Sequence, residues 1–140
     1  MQDSDDTIEL QAGAPSAATV AATPLVLLQD IEPAMADLIE DWLTQDGHRV
    51  QRHAAREQAV GLILVDIPFP RLHGAAKMRE LARAWPGVPA LVLSSTFLPG
   101  VAARGEVARL LGAAAVLAAP VTRDALRQVV APWLGRQREA

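Results

Sequence analysis

Three polar residues stand at the ends of apolar runs, and each is of a type that can do cation or phosphate chemistry. Asp30 follows Leu25–Leu28 after Gln29, Asp66 follows Leu62–Val65, and Ser94 follows Pro89–Leu93. Two carboxylates with a hydroxyl beside them offer hard oxygen donors to a cation such as Mg²⁺. A carboxylate beside such a cation can also attack a phosphoryl group and become an aspartyl-phosphate. Asp66 is the most informative of the three, because the segment Gly61 to Gly74, GLILVDIPFPRLHG, runs from a buried-looking strand straight into a turn carrying Pro68 and Pro70. The same residues also suit plain structural work, Asp30 and Asp66 as turn residues and Ser94 as a cap. Their chemistry depends on whether the fold brings them together.

The elements that must do so are marked by hydrophobic pattern. Leu25–Leu28, a short segment after His48, 62–66, 89–93 and 114–118 read as five strands. The continuous apolar character of the central ones fits parallel strands covered on both faces. Between them, Met35, Leu38, Ile39, Trp42 and Leu43 recur at helical spacing behind Pro33, a suitable first-turn residue, and Gly47 supplies the stop. Helices are expected near 74–85, with Met78, Leu81, Ala82 and Trp85 inward, and near 101–111, burying Val107, Leu110 and Leu111. A last helix follows Thr122 as N-cap, buries Leu126, Val129, Val130 and Trp133, and is weakened by Pro132 in its final turn. The three tryptophans lie on these stripes, so core packing is their expected role. Strands alternating with helices imply an α/β domain with a doubly wound five-stranded parallel sheet, flavodoxin-like with strand order 2-1-3-4-5. In such a sheet the ends of strands one, three and four converge beside the switch point.

Composition narrows the function. The chain of 140 residues fits one domain, with residues 1–23 as a flexible, Ala/Ser/Thr-rich tail and 24–140 as the folded part. It has no cysteine, which excludes disulfides and thiolate metal sites. No apolar stretch approaches the roughly 20 residues of a membrane span, and no signal peptide is visible, so a cytoplasmic location is expected. The net charge of −3 arises from four unpaired acids in residues 1–23, leaving twelve acids against thirteen bases in the rest. That near-neutral balance argues against a nucleic-acid partner. Arg49, Arg52, His53 and Arg56 form the one basic cluster and read as a solvated edge.

The order of elements and motifs from Pro24 to Leu134 resembles the receiver domain of two-component response regulators (CheY-like). The match is closest over Asp66-Ile67-Pro68-Phe69-Pro70-Arg71-Leu72-His73-Gly74, which follows the family's phosphoacceptor segment with its Pro and Gly at Pro70 and Gly74. The resemblance implies Asp66 as phosphoacceptor, Ser94 as the hydroxyl that contacts the phosphoryl group, and Asp30, Asp66 and the Pro68 carbonyl as ligands of Mg²⁺. It also implies a cis bond before Pro120. The expected partners are a histidine kinase or phosphotransfer protein. A homodimer would form through the family's helix 4–strand 5–helix 5 face, here Val101, Arg104, Val107, Arg109, Arg123 and Arg127. No output domain is expected after the last helix, so a signal would pass by protein contact. Enzymatic activity would not exceed self-catalysed phosphotransfer and aspartyl-phosphate hydrolysis.

The departures are equally specific. Ile31 stands where the family has a second metal-binding acid, and Ala119 where it has a lysine. Val116 takes the place of an aromatic switch residue, and Val50 to Asp66 spans 16 positions, leaving the second helix shortened or absent. The usual pocket, three carboxylates and a lysine, carries −2. Asp30 and Asp66 without that lysine also sum to −2, so weak Mg²⁺ binding, slow phosphotransfer and poor transmission to the surface are the expectations. Two rivals stand beside this degenerate receiver. One is a pseudo-receiver acting as a phosphorylation-independent interaction module. The other is an unrelated small-molecule-binding flavodoxin-like domain, which no Gly-rich phosphate loop supports.

Overall fold

The apolar runs pair into one parallel sheet. The computed structural model describes residues 25–54 and 59–134; the tail expected over 1–23, Arg56 and residues 135–140 lie outside them. The strands are β1 Leu25–Gln29, β2 Arg49–Gln51, β3 Val60–Asp66, β4 Ala90–Ser94 and β5 Ala115–Ala118, in the order β2-β1-β3-β4-β5. The helices are α1 Pro33–Gln45, α2 Pro70–Ala84, α3 Glu106–Leu111 and α4 Arg123–Leu134. Every strand pairing is parallel. No helix stands between β2 and β3 among the described residues.

Strand side chains alternate between two cores, as a period of two requires. Val26, Leu28, Leu62, Leu64, Leu91, Leu93, Ala115 and Leu117 face α1 and α4, where Ile39, Leu43, Leu126 and Val130 cover them. Leu27, Ile63, Val65, Val92 and Val116 face the other way, under Leu81 and Ala108. Burial on both faces explains why β1, β3 and β4 are apolar without interruption. Trp42 and Trp133 pack against the first core and Trp85 against the second, so the tryptophans do serve packing. No helix among the described residues is long and apolar enough to cross a membrane.

Helix boundaries and faces depart from the periodic reading in several places. α2 begins at Pro70, not Gly74, because proline suits a first helical position and needs no amide partner there. Gly74 then sits inside the helix as a close-approach residue: a Cβ on it would lie 2.5 Å from Leu111 Cδ2. α3 starts only at Glu106, since Gly100 adopts φ 85° and the chain turns until Gly105. So short a helix meets the sheet through Ala108, leaving Val107 37% and Leu110 74% exposed. Leu38 and Ala82, also expected inward, are exposed. Thr122 does cap α4, its hydroxyl accepting from the Ala125 amide at 3.2 Å. α4 continues through Pro132 to Leu134.

Candidate functional site

The chain leaves β1 on one side of the sheet to form β2 and returns on the other as β3, so the switch point lies between β1 and β3. Gln29 is paired with Val65, so the next residues, Asp30 and Asp66, end adjacent strands separated by about 4.8 Å. On the far side of β3, Asp66 is paired with Leu93, which places Ser94 one step beyond. The three residues are thus gathered at the carboxyl end of the sheet. Asp30 adopts φ 54°, a left-handed conformation that aspartate tolerates better than most residues.

Asp66 is half-buried and forms no salt bridge with any described residue. Burial pushes its carboxyl above the ordinary aspartate range, because desolvation penalises the charged form. Ser94 is fully buried. Its hydroxyl donates to the Pro68 carbonyl at 3.3 Å, lies 2.8 Å from the Thr96 hydroxyl, and accepts from the Thr96 amide at 3.1 Å. It therefore ties the loop after β3 to the loop after β4. Ala119 donates its amide to the Ser94 carbonyl at 3.0 Å, and the Ala119–Pro120 bond is cis, as the resemblance implied.

Sequence reasoning missed the cation of this pocket. Lys77, on α2, places its ammonium 2.8 Å from Asp30 Oδ2 and 3.6 Å from Glu80. The hydrogen bond to Asp30 holds that ammonium above the usual lysine range. A signal for it was present: Lys77 is the chain's single lysine, against twelve arginines. Counting Lys77, the pocket's formal charge becomes −1 instead of −2. Glu32 does not replace the missing acid, since its carboxylate caps α1 by accepting from the Ala34 and Met35 amides at 3.2 and 3.1 Å. Ile31 packs against the core.

The donor set fits a resident divalent cation poorly. No group of three His, Cys, Asp or Glu side chains among the described residues is arranged to hold a metal. Of the two carboxylates available, Asp30 is held by Lys77, and the Pro68 carbonyl already accepts from Ser94. An apolar cavity of about 370 Å³, lined by Met78, Leu81, Trp85, Val88 and Leu111, opens toward the amino end of β4, away from these groups. It has no titratable constellation and belongs to different chemistry.

Three of the four arginines of the expected dimer face are engaged within the chain. Arg127 makes two bonds to Asp46, at 2.9 and 2.7 Å, and Arg123 approaches the same carboxylate at 3.6 Å. Arg109 pairs with Glu106 one turn away. Arg52, in the basic edge, is held by Asp37 and Glu40.

A doubly wound sheet of this order, with acid and hydroxyl groups gathered at its switch point, defines a flavodoxin-like α/β protein. No protein-family model and no curated protein matches the sequence, but solved structures do. The receiver domain of a sensor histidine kinase from Pseudomonas aeruginosa, solved with magnesium coordinated in its active-site cleft, is 28% identical, with TM-score 0.59 over 82% of this chain and all of that one. A response regulator protein from Burkholderia multivorans is 27% identical, with TM-score 0.51 over 79% of this chain and 94% of that one. A CheY-like receiver domain from Methanospirillum hungatei superposes with TM-score 0.62 at 20% identity, over 84% of this chain and 98% of that one. The fold is that of the response-regulator receiver domains of two-component signalling, and it extends over nearly all the described residues.

Proposed function

We propose that this chain acts in a phosphorelay, accepting a phosphoryl group on Asp66 and signalling by protein contact. The observation that supports this reading most is the convergence of Asp66, Asp30 and the Ser94–Pro68 tie at the switch point of a receiver fold. In the step itself, an Asp66 carboxylate oxygen attacks phosphorus. The bond from phosphorus to the donor's imidazole nitrogen, or to the carboxylate oxygen of an acyl phosphate, breaks, and its electron pair leaves with the donor. The product is a mixed anhydride on Asp66, which water later cleaves. A histidine kinase or phosphotransfer protein is the physiological donor in this reading, and the chain has no enzymatic activity beyond these self-catalysed steps. Magnesium competes only weakly with Lys77 for Asp30, Asp66 and the Pro68 carbonyl, and the transfer step does not depend on it. The exposed Val107 and Leu110, beside Val101 and Arg104, supply apolar area for contact with a partner or a second copy.

A second reading, the phosphorylation-independent pseudo-receiver, is favoured by Ala119 and Ile31 at the positions of the family's lysine and second acid, and by a Ser94 hydroxyl that is already satisfied. One experiment separates the two. The protein and an Asp66→Asn control are incubated with acetyl phosphate and Mg²⁺, and intact mass is measured. A gain of one phosphoryl group in the wild type alone supports the acceptor. No gain with the fold intact by circular dichroism leaves the pseudo-receiver.

A further inference from the structure

Lys77 reaches Asp30 across 47 positions of sequence. Its side chain is only 25% exposed, its stem largely shielded from water while the ammonium meets the carboxylate at 2.8 Å. The positions that would otherwise recruit a divalent cation beside Asp30 are apolar or committed: Ile31 packs against the core and Glu32 caps α1. Ala119, for its part, supplies no second cation. An ammonium neutralises a carboxylate as a metal ion would, yet it carries only donors and offers no coordination position to an incoming oxygen.

We propose that Lys77 is the resident cation of this pocket, taking the place of a divalent metal at Asp30, and that anion chemistry at Asp66 proceeds without a metal. The second clause rests on the reading of Asp66 as phosphoacceptor; the first does not. A metal ion arriving at Asp30 must first displace the ammonium, and it meets an adjacent positive charge even after doing so. Removing that charge frees the carboxylate and raises metal affinity, whereas keeping it as a guanidinium does not.

Mn²⁺ serves as the probe, its free concentration read by electron paramagnetic resonance during titration with the full chain. Lys77→Met is expected to bind Mn²⁺ about tenfold more tightly than wild type, a factor equivalent to 1.4 kcal/mol. Lys77→Arg and Arg79→Met, the latter removing a neighbouring charge on the same helix, are expected to match wild type. Adding Asp30→Asn to Lys77→Met abolishes the gain and locates the metal. Circular dichroism melts confirm that each variant is folded, and methionine keeps the length of the apolar stem. A Lys77→Met protein that binds Mn²⁺ no more tightly than Arg79→Met overturns the proposal. In parallel, acetyl phosphate is applied with excess EDTA. Wild type is expected to gain its phosphoryl group regardless of chelator, and a gain that requires added Mg²⁺ also overturns the proposal. Absence of phosphorylation in every buffer defeats the acceptor reading of Asp66, and the Mn²⁺ comparison then decides the role of Lys77 by itself.

Discussion

Replacing Ser94 with alanine removes one oxygen from the point where two functional loops meet. The site is fully buried and only one atom is lost, so the cost is mainly polar. Its contact with the Pro68 carbonyl, at 3.3 Å, is longer than the 2.5–3.0 Å range of good hydroxyl–oxygen bonds and contributes little. The contacts with the Thr96 hydroxyl at 2.8 Å and amide at 3.1 Å are well formed. Two neutral hydrogen bonds at about 1 kcal/mol each set the scale. Because Thr96 is exposed, water recovers part of that loss, so Ser94→Ala is expected to cost about 1–2 kcal/mol. With a urea m-value of roughly 1.5 kcal/mol/M, the unfolding midpoint falls by about 1 M. Thr96→Val removes the hydroxyl partner but keeps the amide, and should cost less than about 1 kcal/mol. The double variant should show coupling of about 0.5–1 kcal/mol, because both changes break the same bond. A Ser94→Ala midpoint indistinguishable from wild type, or two strictly additive substitutions, would refute the assignment of the Ser94 hydroxyl as the anchor of the loop after β4.

Two further perturbations follow from burial. Asp66 has a folded-state pKa raised by desolvation above its unfolded value of 3.8, so its ionised form destabilises the native state at neutral pH. Asp66→Asn is therefore expected to be more stable than wild type at pH 7. That advantage shrinks as pH falls through the raised pKa and is gone below about 3.8, where the carboxyl is protonated in both states. Paired urea titrations across pH would contradict this if the asparagine variant were the less stable at neutral pH. Leu110→Ser tests the exposed face of α3: at 74% exposure it should unfold within about 0.5 kcal/mol of wild type, whereas a core leucine at that position would lose 2 kcal/mol or more.

The strands were legible because each is a run of apolar residues bounded by Gly, Pro or polar punctuation, and burial on both faces demands that composition. The Asp66 loop was legible for a related reason. Pro70 and Gly74 each answer a local steric need, one at a helix start and one against Leu111. Helix faces were harder. Periodicity counts every apolar residue within reach of a stripe, but a helix lying on a sheet buries a narrower arc, and its position sets which residues fall outside it. Leu38 and Leu110 sit on the flanks of that arc. The length of α3 was misjudged because Gly100 and Gly105 interrupt a segment whose Ala and Val content reads as helix-compatible.

The pocket's cation was illegible for a deeper reason. Position-by-position comparison asks whether a charge survives at the place where relatives carry it, and Ala119 answers no. Electrostatic energy depends on separation in space, and a four-carbon side chain from any element packed nearby can satisfy it. α2 begins at Pro70, and Lys77 stands two turns along it, within reach of the β1 end where Asp30 emerges. That geometry becomes visible only when the helix start and the sheet order are both known. With the start at Gly74, Lys77 would have been a first-turn residue with no defined direction toward β1. The apparent loss of charge at β5 and the lone lysine of α2 are thus parts of one electrostatic arrangement, in which Asp30 is neutralised from the helix and Asp66 is left as the pocket's unpaired carboxylate.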